Sequence, residues 1–138
     1  MKASDAAFYL VNALPFPIWA AWIGAPHSKL ARHFKEAVWP WAVLAASYVA
    51  LIGYAMFVVG GKPGAGMGSL RGVMIIFDSE WSTIAGWMHY ICFDAFAARW
   101  IVNDAKPSYA LSPVLLLTCF FGPAGLVLYL MLRKKLQR

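Results

Sequence analysis

At 138 residues, 62% hydrophobic and 13% charged, the chain carries about half the charged fraction of an ordinary soluble domain, and its mean hydropathy is +0.62. Those values describe an integral membrane protein with room for one bundle of about four spans, and they exclude a separate soluble catalytic domain. The formal charge of +6 does not point to a nucleic-acid partner, because the Lys and Arg residues flank apolar runs as basic residues beside membrane spans do.

The first expected span covers residues 6–25. Asn12, Pro15 and Pro17 interrupt it too often for a cleaved signal, so a retained, kinked helix is expected there. Residues 26–36 read as a basic, polar loop whose histidines lie in the headgroup region. The second span is expected over 38–59, anchored at one boundary by Trp39 and Trp41, with Tyr48 and Tyr54 deeper. The Gly-rich connection at 60–68 has neither a Walker lysine pattern nor a dinucleotide fingerprint. Val73 to Phe77 is too short to span and reads as a surface-lying or re-entrant piece, after which Asp78, Ser79 and Glu80 supply a helix start.

The third span is expected over 82–102 and the fourth over 113–132, the latter opened by Ser112-Pro113 and kinked at Phe121-Gly122-Pro123. The expected fold class is therefore all-α, four transmembrane helices in a single domain covering residues 1–138. The basic cluster from Arg133 to Arg138 argues for a cytoplasmic carboxy terminus in a bacterial inner membrane. Four spans then place the amino terminus on the same side and the 26–36 loop opposite, a bias of only about seven basic residues to five. Cys92 and Cys119 fall inside spans and read as buried free thiols.

The third span carries the chemistry. His89, Asp94 and Arg99 lie in a stretch otherwise apolar enough to cross a bilayer, where a central Asp or Arg costs roughly 2.5–3.5 kcal/mol on the insertion scale. At 100° per residue, Asp94 points about 140° away from His89, so a straight helix does not aim both at one atom. They meet different neighbours, or reach two ends of one elongated ligand, or simply tie helices together. Proton transfer by Asp94 or His89 needs no metal. The chain lacks HxxxH, ExxH and paired-cysteine spacings, so a metal site would need His89 plus ligands recruited from Asp94, Asp104 or His33. Trp87, Tyr90, Phe93, Trp100 and Tyr48 are the aromatic residues that would line a pocket for a rigid polyene or ring, although belts at the interface use the same residues.

Several of these residues carry a family likeness. Gly86-Trp87-Met88-His89-Tyr90, Phe93-Asp94, Arg99-Trp100, Asp104 and Phe121-Gly122-Pro123-Ala124-Gly125-Leu126 together resemble the abscisic acid-deficient four family. That plant family is required for neoxanthin formation. Asn12, Pro15, Trp19 and Pro26 extend the likeness to the first span. The resemblance implies a four-span protein that acts on a carotenoid, in the plant case by isomerising an epoxy-xanthophyll to an allenic product. It would make Asp94 and His89 the proton-transfer pair, with Arg99, Asp104 and Asn12 orienting them. No cofactor is implied for that chemistry. Oxidative cleavage to an apocarotenoid or retinal is the alternative, and it would need iron at His89. A carotenoid-binding partner without catalysis, or a small proton-coupled transporter, also suits these residues, and so small a bundle suggests a homodimer.

Overall fold

The computed structural model describes residues 1–138 and is helical, with no strand. Seven α-helices follow in order: α1 (Ala3–Ala13), α2 (Phe16–Gly24), α3 (Lys29–Glu36), α4 (Trp39–Tyr54), α5 (Leu70–Phe77), α6 (Glu80–Asp104) and α7 (Ser112–Leu136). Three stretches are long and apolar enough to cross a membrane: Ala3–Gly24, Trp39–Val59 and Tyr109–Leu136. At 25 residues α6 matches them in length, but it is less apolar, carrying His89, Asp94 and Arg99 within it. The all-helical membrane bundle is thus as expected, whereas four apolar spans are not supported.

Prolines shape the first column. Pro15 ends α1, and Pro17 falls in the first turn of α2, where its missing N–H would have had no helical partner anyway. The column runs alongside α6. At one end the Ser4 hydroxyl donates to Glu80 Oε2 at 2.7 Å, and at the other the Ser112 hydroxyl donates to the Ile23 carbonyl at 2.8 Å. α4 runs the opposite way. Arg99 Nη2 donates to the Ala37 carbonyl at 3.3 Å, Tyr48 lies 5.4 Å from His89, and Tyr54 lies 4.6 Å from Trp81 between ring centroids.

The basic stretch expected as a loop holds the helix α3. The Ser28 hydroxyl caps it by accepting from the Ala31 N–H at 3.0 Å, and Ala31 and Phe34 turn inward while Arg32 and His33 face out. Trp22 locks this helix down. It is buried, donates its indole N–H to the Ala31 carbonyl at 3.1 Å, and stacks on Trp41 at 5.8 Å.

α7 departs most from expectation, because it is a hairpin of two helical arms rather than one rod. Thr118 bonds back to the Val114 carbonyl, Phe121 leaves helical geometry (φ −144°, ψ 52°), and Pro123 deprives the Cys119 carbonyl of its helical donor. The chain then folds back on itself. A Cβ on Gly125 would sit 2.4 Å from the Thr118 nitrogen, whereas residues seven apart in a straight helix are separated by about 10 Å. Only glycine permits that approach. The second arm returns to where the first began, so that the Lys106 N–H donates to the Leu136 carbonyl at 3.1 Å. Residues 112–120 rise about 14 Å and residues 122–136 about 22 Å, both short of a hydrocarbon core of about 30 Å. Each arm alone is thus shorter than the core, although Tyr109–Leu136 taken whole is long and apolar enough to cross.

A latch holds the returning arm. Asp104 accepts from Arg133 Nε and Nη2 at 2.7 Å each and from the Tyr129 hydroxyl at 2.5 Å. Arg133 first, and then Tyr129, hold this carboxyl well below the usual carboxylate range. Between the columns, Met88, Ala95, Ala98 and Ile101 of α6 are fully buried against Leu111, Val114, Leu115 and Tyr129, the two alanines letting the arms approach closely.

Candidate substrate groove

Asp94 lies halfway along α6, at the apex of the α7 hairpin. The reversal at Phe121 brings Gly122, the start of the second arm, directly against the Asp94 carboxylate. Asp94 therefore lies beside a helix start, where a negative charge meets the positive end of the arm's dipole. The fit is close. A Cβ at 122 would fall 1.8 Å from Asp94 Oδ1, so residue 122 has to be glycine for this contact to exist.

From that position Asp94 opens on a groove of about 680 Å³ between α1, α2, α6 and the first arm of α7. The volume lies inside the range of about 300–1,000 Å³ typical of small-molecule sites. Asn12, Trp19, Trp87, Tyr90 and Phe120 line it, together with the Cys119 thiol. Asn12 fixes one wall: its amide N–H donates to the Phe8 carbonyl at 2.7 Å, and its oxygen accepts from the Trp87 indole N–H at 3.1 Å. Four of the residues singled out in the sequence, Asn12, Trp87, Tyr90 and Asp94, thus meet in one place.

His89 is not among them. It faces a second groove, of about 470 Å³, with Tyr48, Phe93, Cys92, Trp41 and Phe96, on the α4 side of α6. Its ring lies 4.8 Å from that of Phe93. The 140° offset between His89 and Asp94 is preserved because α6 stays helical throughout, so the two groups stand in separate grooves.

The other expected members of the site serve the scaffold. Arg99 spans α6 and the α3–α4 connection, donating to the Lys35 and Ala37 carbonyls at 3.3 Å and lying 5.2 Å over the Trp41 ring. Asp104 belongs to the latch described above. Trp100 packs edge-on against Tyr129 at 5.6 Å, with the Arg133 guanidinium 5.8 Å from its ring. None of the three reaches Asp94's groove.

Iron at His89 fits this arrangement poorly. No three His, Cys, Asp or Glu side chains converge anywhere in the chain. Of the ligands that would have had to be recruited, His33 accepts from the Trp39 indole N–H at 3.1 Å and Asp104 is held by Arg133.

Phe16, Trp19, Cys119 and Phe120 line the groove without being marked for it in the sequence, where Gly122 reads as part of a kink. The signal for them was Pro123, four residues after Cys119, which marks where α7 must break.

Fold and groove together define a small helical membrane protein whose mid-helix carboxylate opens on an aromatic groove. The model of the family described as ABA DEFICIENT 4-like matches residues 6–129, and the chain belongs to that family. The match covers Asn12, His89, Asp94 and the hairpin apex, and it makes this a carotenoid-related membrane protein. No curated protein and no solved structure matches the chain.

Proposed function

We propose that the protein isomerises the end group of a carotenoid by proton transfer, with Asp94 as the proton-transfer group in the groove it shares with Asn12, Trp87 and Tyr90. The observation that supports this most is the placement of a carboxylate in a groove lined mainly by aromatic and apolar side chains. An intramembrane carboxylate is costly, and such groups are kept where they work or are paired.

A groove of this volume takes one cyclic end group, while the rest of the polyene extends along the exposed Phe16 and Phe120 among the acyl chains. With an epoxide-bearing end group, the Asp94 carboxylate removes a proton from the adjacent polyene carbon. The electron pair released forms the new double bond, and the epoxide C–O bond opens. The oxygen takes a proton from the Tyr90 hydroxyl, and the acid form of Asp94 restores it. Atoms and electrons balance without an oxidant, and the product has the mass of the substrate. Trp87, held by Asn12, positions the ring. His89 lines a separate aromatic groove and takes no part in the proton step.

Expression in bacteria that make an epoxy-xanthophyll tests the reading by mass-resolved chromatography of extracted pigment. A product of equal mass and altered spectrum is expected. A shortened product points to oxidative cleavage, and unchanged pigment that co-purifies with the protein points to binding alone; either result overturns the proposal.

A further inference from the structure

The α7 hairpin changes where the charges lie. Because its second arm returns, the carboxy-terminal tail sits at the same end of the bundle as α3 and the end of α6. That end carries Lys29, Arg32 and Lys35 from α3, Arg99 and Lys106 around the end of α6, and Arg133, Lys134, Lys135 and Arg138 from the tail, nine of the twelve Lys and Arg residues. Only Glu36 and Asp104 oppose them there.

The other end carries Lys2, Lys62 and Arg71, matched by Asp5, Asp78 and Glu80. Four of these charges form two pairs: Lys2 Nζ lies 3.0 Å from Glu80 Oε1, and Lys62 is paired with Asp78. Ser4 and Lys2 hold the Glu80 carboxyl below its usual range. One end of the molecule is therefore nearly neutral and the other strongly positive.

We infer that the Asp104 end faces the cytoplasm and lies against anionic phospholipid headgroups, and that the chain crosses the membrane three times, through α1–α2, α4 and α6. In this arrangement α7 re-enters from the cytoplasmic face as far as Asp94, and the amino terminus lies across the membrane from the carboxy terminus. Three features of the molecule carry this. The first is the nine-to-three division of basic residues, far steeper than the seven-to-five division of a four-span path. The second is the length of α6, about 37 Å, enough to cross where neither arm of α7 is. The third is the charge of the opposing surface: a cytoplasmic leaflet rich in anionic lipid attracts clustered Lys and Arg at about 1 kcal/mol each.

Single cysteines at exposed positions, in a chain whose Cys92 and Cys119 are replaced by alanine, decide the matter, probed in intact cells with a membrane-impermeant thiol reagent and again after permeabilisation. Ala3→Cys and Met67→Cys mark the neutral end, and Leu30→Cys and Lys135→Cys the basic end. Ala3→Cys and Met67→Cys are expected to label fully in intact cells, and Leu30→Cys and Lys135→Cys only after permeabilisation. A four-span path places Leu30 and Lys135 on opposite sides, so labelling that separates these two overturns the inference. Labelling of both basic-end positions in intact cells overturns the orientation. Reporter fusions at the two termini give a second readout that does not depend on the cysteine variants folding normally; activity on the same side at both ends contradicts three crossings.

Discussion

Gly122→Ala probes the contact on which both the hairpin and the groove depend. An alanine Cβ there falls 1.8 Å from Asp94 Oδ1 and 2.6 Å from Asp94 Cγ, an overlap no small adjustment removes. Either the apex moves away from α6 or Asp94 swings off the second arm. Overpacking of the first kind costs about 1–3 kcal/mol. The second removes the carboxylate from a helix start, a loss of about 1–2 kcal/mol. The chain takes the cheaper route, so a loss of about 1–2 kcal/mol is expected, read as a lower midpoint in thermal unfolding of the detergent-solubilised protein. Asp94→Ala and the double variant complete the cycle. With the carboxylate gone, Gly122→Ala should cost less by about 1 kcal/mol or more, since contacting residues couple at that level. Additivity to within about 0.3–0.5 kcal/mol would show that residues 94 and 122 do not touch, and would refute the hairpin placement.

Three further outcomes follow from the packing and the charges. Trp22→Ala removes a side chain that is 1% exposed and ties α2 to α3, so it should destabilise by about 3–5 kcal/mol; a loss under 1 kcal/mol by the same unfolding assay would contradict that packing. Asp104 and Glu80 both have depressed carboxyl pKa values in the folded chain, so their contribution is present above the ordinary carboxylate range and is lost as pH falls through it. Thermal midpoints should therefore hold between pH 8 and pH 5 and drop below about pH 4. Asp104→Asn should flatten that acid limb only in part, Glu80 retaining its share; an unchanged limb argues against the latch. His89→Ala should leave the pigment product intact, because His89 lines a different groove; loss of product in a folded variant would place it in the proton step.

Much of the scaffold was legible from periodicity and composition. The apolar runs marked α4 and the first column, the Ser79-Glu80 start marked α6, and the helical angle between residues 89 and 94 foretold that one straight helix would not aim both groups at one atom. What was hidden depended on single residues and on tertiary partners. α3 is too short and too charged to announce itself by hydropathy, and its inward face shows only once Trp22 lies over Ala31 and Phe34. The reversal of α7 turns on the backbone of Phe121. Gly122, Pro123 and Gly125 signal a bend but not its angle, so a kinked span was the natural expectation. With the hairpin unseen, the partners of Asp104 and the gathering of cations at one end were hidden too. Arg99 and Asp104 enter the expected site through the family likeness and Trp100 through its aromatic ring, and it takes the folded contacts to tie them to the α3–α4 connection and to the returning arm.

The most direct measurement of the central claim compares pigment conversion by wild type, Asp94→Asn and Asp94→Ala in the same epoxy-xanthophyll background, with each protein's folding checked by its thermal midpoint. Asparagine keeps an oxygen beside Gly122 and loses the titratable proton. The account predicts that Asp94→Asn stays folded near the wild-type midpoint, still binds pigment and forms no equal-mass product, whereas Asp94→Ala loses both stability and product. An Asp94→Asn protein that converts pigment at the wild-type rate would make Asp94 a packing partner of Gly122 and nothing more, and would contradict the proposed chemistry.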